Sequence, residues 1–276
     1  MDIGIFSRTF PRPSVEEMMD AVVDYGLFAI QYNWPAGGPD DLPAEVAPED
    51  VPRVRHACAT RGINIAALSG TYNMVHPDPS VRTIGRDRLR KVIATAPGLG
   101  TRVVTLCTGS RDGTSMWRRH PDNDTDDAWR DLLASLEDAL VAAEEYGVVL
   151  GVEPEVNNVI SSPAKARALL DTVRSPHLGI IMDGANVFPA GGLTRQHEIL
   201  DQAFDLLGDD IVSAHAKDIS RDGDAGHEAA GTGLLDYDHF VKLLNQSPFD
   251  GALLLHSLTE AQAPGCIAFL RTKIER

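Results

Sequence analysis

Four residues able to bind a metal or carry a proton stand at or near the ends of apolar runs: Glu153 after VVLGV, Asp183 after GIIM, His215 in IVSAHAKD and His256 after LLL. They are separated by 30, 32 and 41 residues. Each interval is close to one strand plus one helix, so successive strand ends would bring all four to one place. Two carboxylates and two imidazoles form an oxygen- and nitrogen-rich cage for one divalent ion, Mn, Zn, Co or Mg, with positions open for substrate oxygens. Alternate side chains of a strand share a face, so Glu155 follows Glu153 inward and Lys217 follows His215. A lone strand-end carboxylate is usually a cap, and isolated histidines such as His56, His177, His197 and His239 read as structural or exposed. Recurrence on four strands is what singles out this set.

The elements that must position them are legible in the periodicity. Eight short apolar runs, at 3–6, 27–32, 63–68, 102–106, 148–153, 178–183, 211–217 and 252–256, alternate with amphipathic stretches. The clearest stretch is 126–146, where Trp129, Leu132, Leu133, Leu136, Leu140 and Ala143 make one stripe while Asp131, Glu137 and Glu144 face water. Ser14 with Glu17 forms an N-terminal capping signal, Ser162-Pro163 opens another helix, and Gly26 and Gly147 follow helices. Eight strand–helix repeats with no linker predict a single (β/α)8 TIM barrel over 1–276. An open doubly wound sheet is the structural alternative, weakened by the lack of GxGxxG or GxxxxGK[ST] after the first strand. The segment 35–43 (PAGGPDDLP) reads as a loop.

In such a barrel the chemistry sits at the C-terminal ends of the strands. The polar, aromatic segments 69–78 and 107–123 follow strands three and four, making Asn73, His76, Arg111, Trp117 and His120 candidates for substrate contact, with Asn33 and Trp34 after strand two.

The chain carries 25 Lys+Arg against 40 Asp+Glu, a net charge of −15, which argues against nucleic acid as a partner. Its three cysteines, Cys58, Cys107 and Cys266, have no disulfide or zinc spacing. The opening MDIGIFSRTFPRP lacks a basic n-region and a long apolar run. A cytoplasmic protein with no membrane partner is therefore expected.

The motifs EPEVNN (153–158), MDGAN (182–186), HAKD (215–218) and GTGLLDY (231–237) together resemble the sugar phosphate isomerases/epimerases of the xylose-isomerase-like TIM barrels. The resemblance implies Glu153, Asp183 and His215 as metal ligands, with Asn186 and Lys217 lining the pocket. Such barrels usually supply a strand-eight glutamate where this chain has His256, which can ligate or act as acid/base. The implied activity is a metal-dependent isomerase or epimerase on a sugar or keto-polyol, moving a proton beside a carbonyl through Glu153 or Glu155, with His256 or Lys217 returning it or polarising the oxygen. The same enolate chemistry with loss of a β-hydroxyl would give a dehydratase or lyase. An endonuclease-IV-like hydrolase and a non-catalytic sugar-binding barrel are the remaining alternatives. Relatives of this type often form dimers or tetramers, so a homo-oligomer is compatible.

Overall fold

In the computed structural model, which describes residues 1–36, 38 and 42–274, the β-branched runs pair as eight parallel strands. They are β1 (Ile3–Phe6), β2 (Ala29–Tyr32), β3 (Asn64–Ser69), β4 (Val103–Cys107), β5 (Val149–Glu153), β6 (Leu178–Asp183), β7 (Ile211–Ala216) and β8 (Leu253–Leu255). They close in chain order, with β1 beside β8 through Ile3↔Leu253, Gly4↔Leu254 and Ile5↔Leu255. Eight helices alternate with them: α1 (Val15–Asp24), α2 (Asp50–Ala59), α3 (Pro79–Leu99), α4 (Asp126–Tyr146), α5 (Pro163–Val173), α6 (Gln196–Leu207), α7 (Tyr237–Gln246) and α8 (Ala263–Ile274). The fold is the (β/α)8 barrel expected from the periodicity.

Two strands stop one residue short of the expectation. β7 stops at Ala216 and β8 at Leu255, so Lys217 and His256 lie one residue beyond their strands. The backbone leaves the sheet there for local reasons: Asp218 pairs antiparallel with Glu228, and Ser257 turns away at φ 55°. His256 still donates its N–H to the Ala216 carbonyl at 3.2 Å, which keeps it against the sheet.

The helix termini follow their signals. Ser14 Oγ accepts from the Glu17 N–H at 3.2 Å, Ser162 Oγ accepts from the Lys165 N–H at 3.3 Å, and Gly147 takes the left-handed φ of 63° that ends α4. Leu132, Leu136, Ala139 and Ala143 bury one face of α4. Asp131 does not simply face water; it pairs with Arg111 at 2.6 Å and Arg82 at 3.1 Å. Of the 35–43 loop, residues 37 and 39–41 lie outside the described residues.

The main core lies between sheet and helices, and a separate small cluster of Phe6, Ala29, Ala252 and Leu254 fills the barrel interior. Gly4 belongs to that floor: a Cβ there would meet Leu254 Cδ2 at 2.5 Å and the Ala29 carbonyl oxygen at 2.7 Å. Above this apolar floor the cavity lining mixes Leu106 and Ile181 with Gln31, Thr105, Glu153 and His215. No helix among the described residues is long and apolar enough to cross a membrane.

Candidate active site

Glu153, Asp183, His215 and His256 converge at the top of the barrel, each offering one ligand atom within 4.8 Å of the others. All four are buried. Glu153 is held on both oxygens: Asn186 Nδ2 donates to Oε1 at 2.7 Å and the Cys107 thiol donates to Oε2 at 3.6 Å. Asp183 Oδ1 accepts the Ala185 N–H at 3.0 Å, while Oδ2 faces His256 Nε2 at 3.0 Å and Lys217 Nζ at 3.6 Å. The His256 ring stacks on Phe6, centroids 4.7 Å apart, and Phe6 meets His215 edge-on at 5.1 Å.

The His215 ring shows what the cluster is built to hold. Its Nε2–H donates to Gln31 Oε1 at 3.1 Å, which assigns the proton to that nitrogen. Nδ1 then faces Glu153 Oε1 at 3.6 Å, too far for a hydrogen bond, and is buried without a partner. A buried lone pair facing the Glu153 carboxylate is the arrangement a cation completes, because its orphaned state otherwise costs about 1–3 kcal/mol. Charge gives the same answer. Glu153 and Asp183 share the interior with Lys217, the one buried ammonium among the described residues, all at 6% exposure or less, so the two ionised carboxylates leave a net charge of −1 even with Glu155 protonated. The donor set therefore fits a divalent ion.

The protonation directions follow from the same geometry. Burial pushes Glu153 upward, but His215 in its protonated form, together with Lys217, outweighs it and holds the carboxyl well below the ordinary range. Burial acts on Glu155, opposed by Lys217 and reinforced by Glu153, so its carboxyl is pushed up to about 8. His256 is held down to about 4 by burial, partly offset by its hydrogen bond to Asp183, and so is neutral at physiological pH. Burial works against the Lys217 ammonium, yet Asp183, Glu153 and Glu155 raise its pKa and keep it charged.

The motifs position these groups. In the EPEVNN segment Asn158 Oδ1 accepts the Gly109 N–H at 2.6 Å and its Nδ2 donates to Glu155 Oε1 at 3.3 Å, tying the second glutamate to the loop after β4. Asp218 of HAKD accepts the N–H groups of Gly231 and Leu235, each at 2.9 Å, and Tyr237 donates its hydroxyl to the Lys217 carbonyl at 2.8 Å. GTGLLDY thus folds back to anchor Lys217 from behind.

Glu153, Glu155, His215, Lys217 and His256 line one cavity of about 430 Å³, together with Phe6, Gln31, Cys107 and Trp117. Asn186 lies beneath it, fully buried against Glu153. Asn33 and Trp34 line a neighbouring cavity, and Trp34 Nε1 donates to Thr95 Oγ1 at 3.0 Å. Asn73, His76 and Arg111 are not among the residues lining the central cavity. Asn73 donates to the Ser110 carbonyl at 2.8 Å, His76 ring nitrogens bind the Gly113 carbonyl and the Asp78 N–H, and Arg111 reaches the Val75 carbonyl at 3.1 Å besides Asp131. His120 accepts from the Asp122 N–H at 3.2 Å and caps a short turn. These groups brace the loops after β3 and β4. Strand-end reading passed over Gln31, Phe6 and Cys107. Gln31 had a signal, an amide on an otherwise apolar run, whereas Phe6 and Cys107 look like ordinary core in a linear sequence.

The family described as xylose isomerase-like TIM barrel matches residues 19–272. L-ribulose-5-phosphate 3-epimerase UlaE of Shigella flexneri serotype 5b (strain 8401) is 24% identical over 189 residues, 68% of this chain and 61% of that protein. UlaE of Escherichia coli (strain K12) is 25% identical over 183 residues, 66% of this chain and 59% of that protein. The match therefore spans about three fifths of the length of these curated relatives. Among solved structures, a D-tagatose 3-epimerase-like protein superposes with a TM-score of 0.77 at 17% identity, covering 100% of this chain and 97% of that one. L-ribulose 3-epimerase gives 0.73 at 18% identity, with coverages of 100% and 95%. These structural likenesses speak for the fold.

Proposed function

Because the chain belongs to the xylose isomerase-like TIM barrel family, we propose that it is a divalent-metal-dependent sugar epimerase or isomerase acting by proton transfer beside a carbonyl. The observation that carries this reading is the four-residue cluster with its orphaned His215 Nδ1 at the floor of the cavity. The curated relatives are 3-epimerases of a ketose phosphate, which favours a sugar substrate.

Glu153, Asp183, His215 and His256 would hold one ion. Bound there, a divalent ion supplies Lewis-acid polarisation of a substrate carbonyl and its neighbouring hydroxyl. Glu155 lies outside the ligand set but on the same cavity wall, and with a pKa of about 8 it passes readily between carboxyl and carboxylate near neutrality. It is the proton carrier in this reading, taking the proton from the carbon next to the carbonyl. Lys217, charged and fixed by Asp183, donates a hydrogen bond to the oxygen that gains charge as the proton leaves. Phe6, Leu106, Ile181 and Trp117 close the wall and limit water at the carbon centre. His256 stands with the ligands: its neutral imidazole replaces the glutamate of similar barrels and leaves Glu153 and Asp183 as the only ligand carboxylates. Their two charges balance a divalent ion and make it a stronger Lewis acid than a three-carboxylate site would.

The test is metal analysis of the isolated protein combined with a ketose panel in deuterated water. About one equivalent of a divalent metal, with deuterium entering beside the carbonyl only when metal is present, is the expected result. Proton exchange at the same rate after chelation would overturn the metal-dependent reading. Tight sugar binding with no exchange would favour the non-catalytic barrel.

A further inference from the structure

Two cavities open side by side at the C-terminal face of the barrel. The central one of about 430 Å³ adjoins a second of about 350 Å³, and Arg8, Ser69 and Thr71 line both. With three wall residues in common they are two chambers of one site. The second lies over the ends of β1 and β2 and the start of α1. That is across the barrel from β5, which leads into Glu155.

The second chamber has its own chemistry. Val15, Met18 and Trp34 give it an apolar side, and Ser7 and Asn33 join the shared Ser69 and Thr71 in a hydroxyl and amide side. Ser7 Oγ and Asn33 Oδ1 are buried oxygens without a hydrogen-bond partner. Its described lining contains no Asp or Glu. The guanidinium of Arg12 is committed to Glu260 by two hydrogen bonds, at 2.9 and 2.6 Å, and that of Arg8 sits over the Phe6 ring at 5.4 Å. An apolar wall facing hydroxyl and amide groups, with the Arg12 charge paired by Glu260, suits a polyol: C–H faces pack on the apolar groups and hydroxyls on the polar ones. The unpartnered Asn33 Oδ1 can only accept a hydrogen bond, which a sugar hydroxyl supplies and an ionised phosphate oxygen does not.

Resting on the epimerase reading, we infer that the substrate is a keto-sugar extended at its distal end by an uncharged second sugar ring. The reacting carbon lies between the four-residue cluster and Glu155, and the glycosidic substituent passes Arg8 and Thr71 into the chamber between α1 and Trp34. Contacts to the remote ring then contribute to turnover of the near one.

Three probes differing only at the sixth oxygen of the same ketose test this with the metal-loaded protein: D-fructose, its 6-O-glucosyl disaccharide isomaltulose, and fructose 6-phosphate. Proton exchange beside the carbonyl is followed by NMR in deuterated water. The disaccharide is expected to show a kcat/KM at least about tenfold above the other two. Val15→Trp, which fills the second chamber, should remove that preference and leave exchange on D-fructose unchanged; Met18→Phe serves the same purpose if the first variant melts early. Equal or better exchange with D-fructose or the phosphate would overturn the extended uncharged substrate while leaving the epimerase reading intact. Exchange with none of the three would count against that reading instead, and calorimetry then decides the chamber. Isomaltulose binding that Val15→Trp abolishes supports it, and isomaltulose binding no tighter than that of D-fructose overturns it.

Discussion

Glu155→Gln isolates the group on which the proposed proton transfer depends. Glu155 is 2% exposed, and burial carries its carboxyl from the ordinary 4.5 to about 8. With the folded value above the unfolded one, both states are protonated below pH 4.5 and the burial has no pH-dependent cost. Between 4.5 and about 8 the unfolded chain releases the proton and the folded chain keeps it, so stability falls as pH rises, and above 8 the loss is constant. At roughly 1.4 kcal/mol per pH unit, the loss reaches on the order of 5 kcal/mol at pH 8. Glutamine has the shape of the protonated carboxyl and keeps an oxygen for Asn158 Nδ2, but it cannot ionise. In chelator-treated protein the variant should therefore melt above the wild type by roughly 10 °C at pH 8 but only about 2 °C at pH 5. The assay is a pair of thermal melts at the two pH values, with chelator present throughout. A gap of the same size at both would mean that Glu155 is ionised in the folded chain over the whole range, and the assignment of a neutral-range proton carrier would fall with it.

Other outcomes follow from the same geometry. Asp183→Asn should reduce bound metal, measured by elemental analysis, from about one equivalent to under a tenth, because it removes an anionic ligand at the centre of the cluster; unchanged metal content would refute the ligand assignment. His256→Gln should cut turnover sharply with little change in melting temperature, and His256→Glu should keep the metal while altering rate or product; wild-type turnover in both would make His256 a bystander. Cys107→Ala, which frees Glu153 Oε2, should weaken metal affinity by roughly tenfold in a chelator competition, with Cys107→Ser restoring most of it.

Sequence periodicity alone determined the barrel and the rim at which its strand ends gather. Strand and helix periods are local properties of the chain, and eight repeats without a break have few ways to bury their apolar faces. It also indicated which four residues meet at the top of the barrel, because residues at the ends of parallel strands share one rim whatever the loops do. Tertiary structure decided what the loops do. Asn73, His76 and Arg111 have the same polar character as substrate-binding groups, yet they turn to loop carbonyls and Asp131, since buried loop backbone must be satisfied before a side chain can be left for a ligand. Only packing showed that Gln31, 184 residues from His215, assigns the tautomer of that ring. The pKa of Glu155 likewise depends on how deeply a barrel wall buries it, and the joining of two chambers at Arg8 and Thr71 on how the turn after β1 meets the loop after β3. Burial and contacts between distant segments exist only once the chain has closed, so a linear pattern has no means of expressing them.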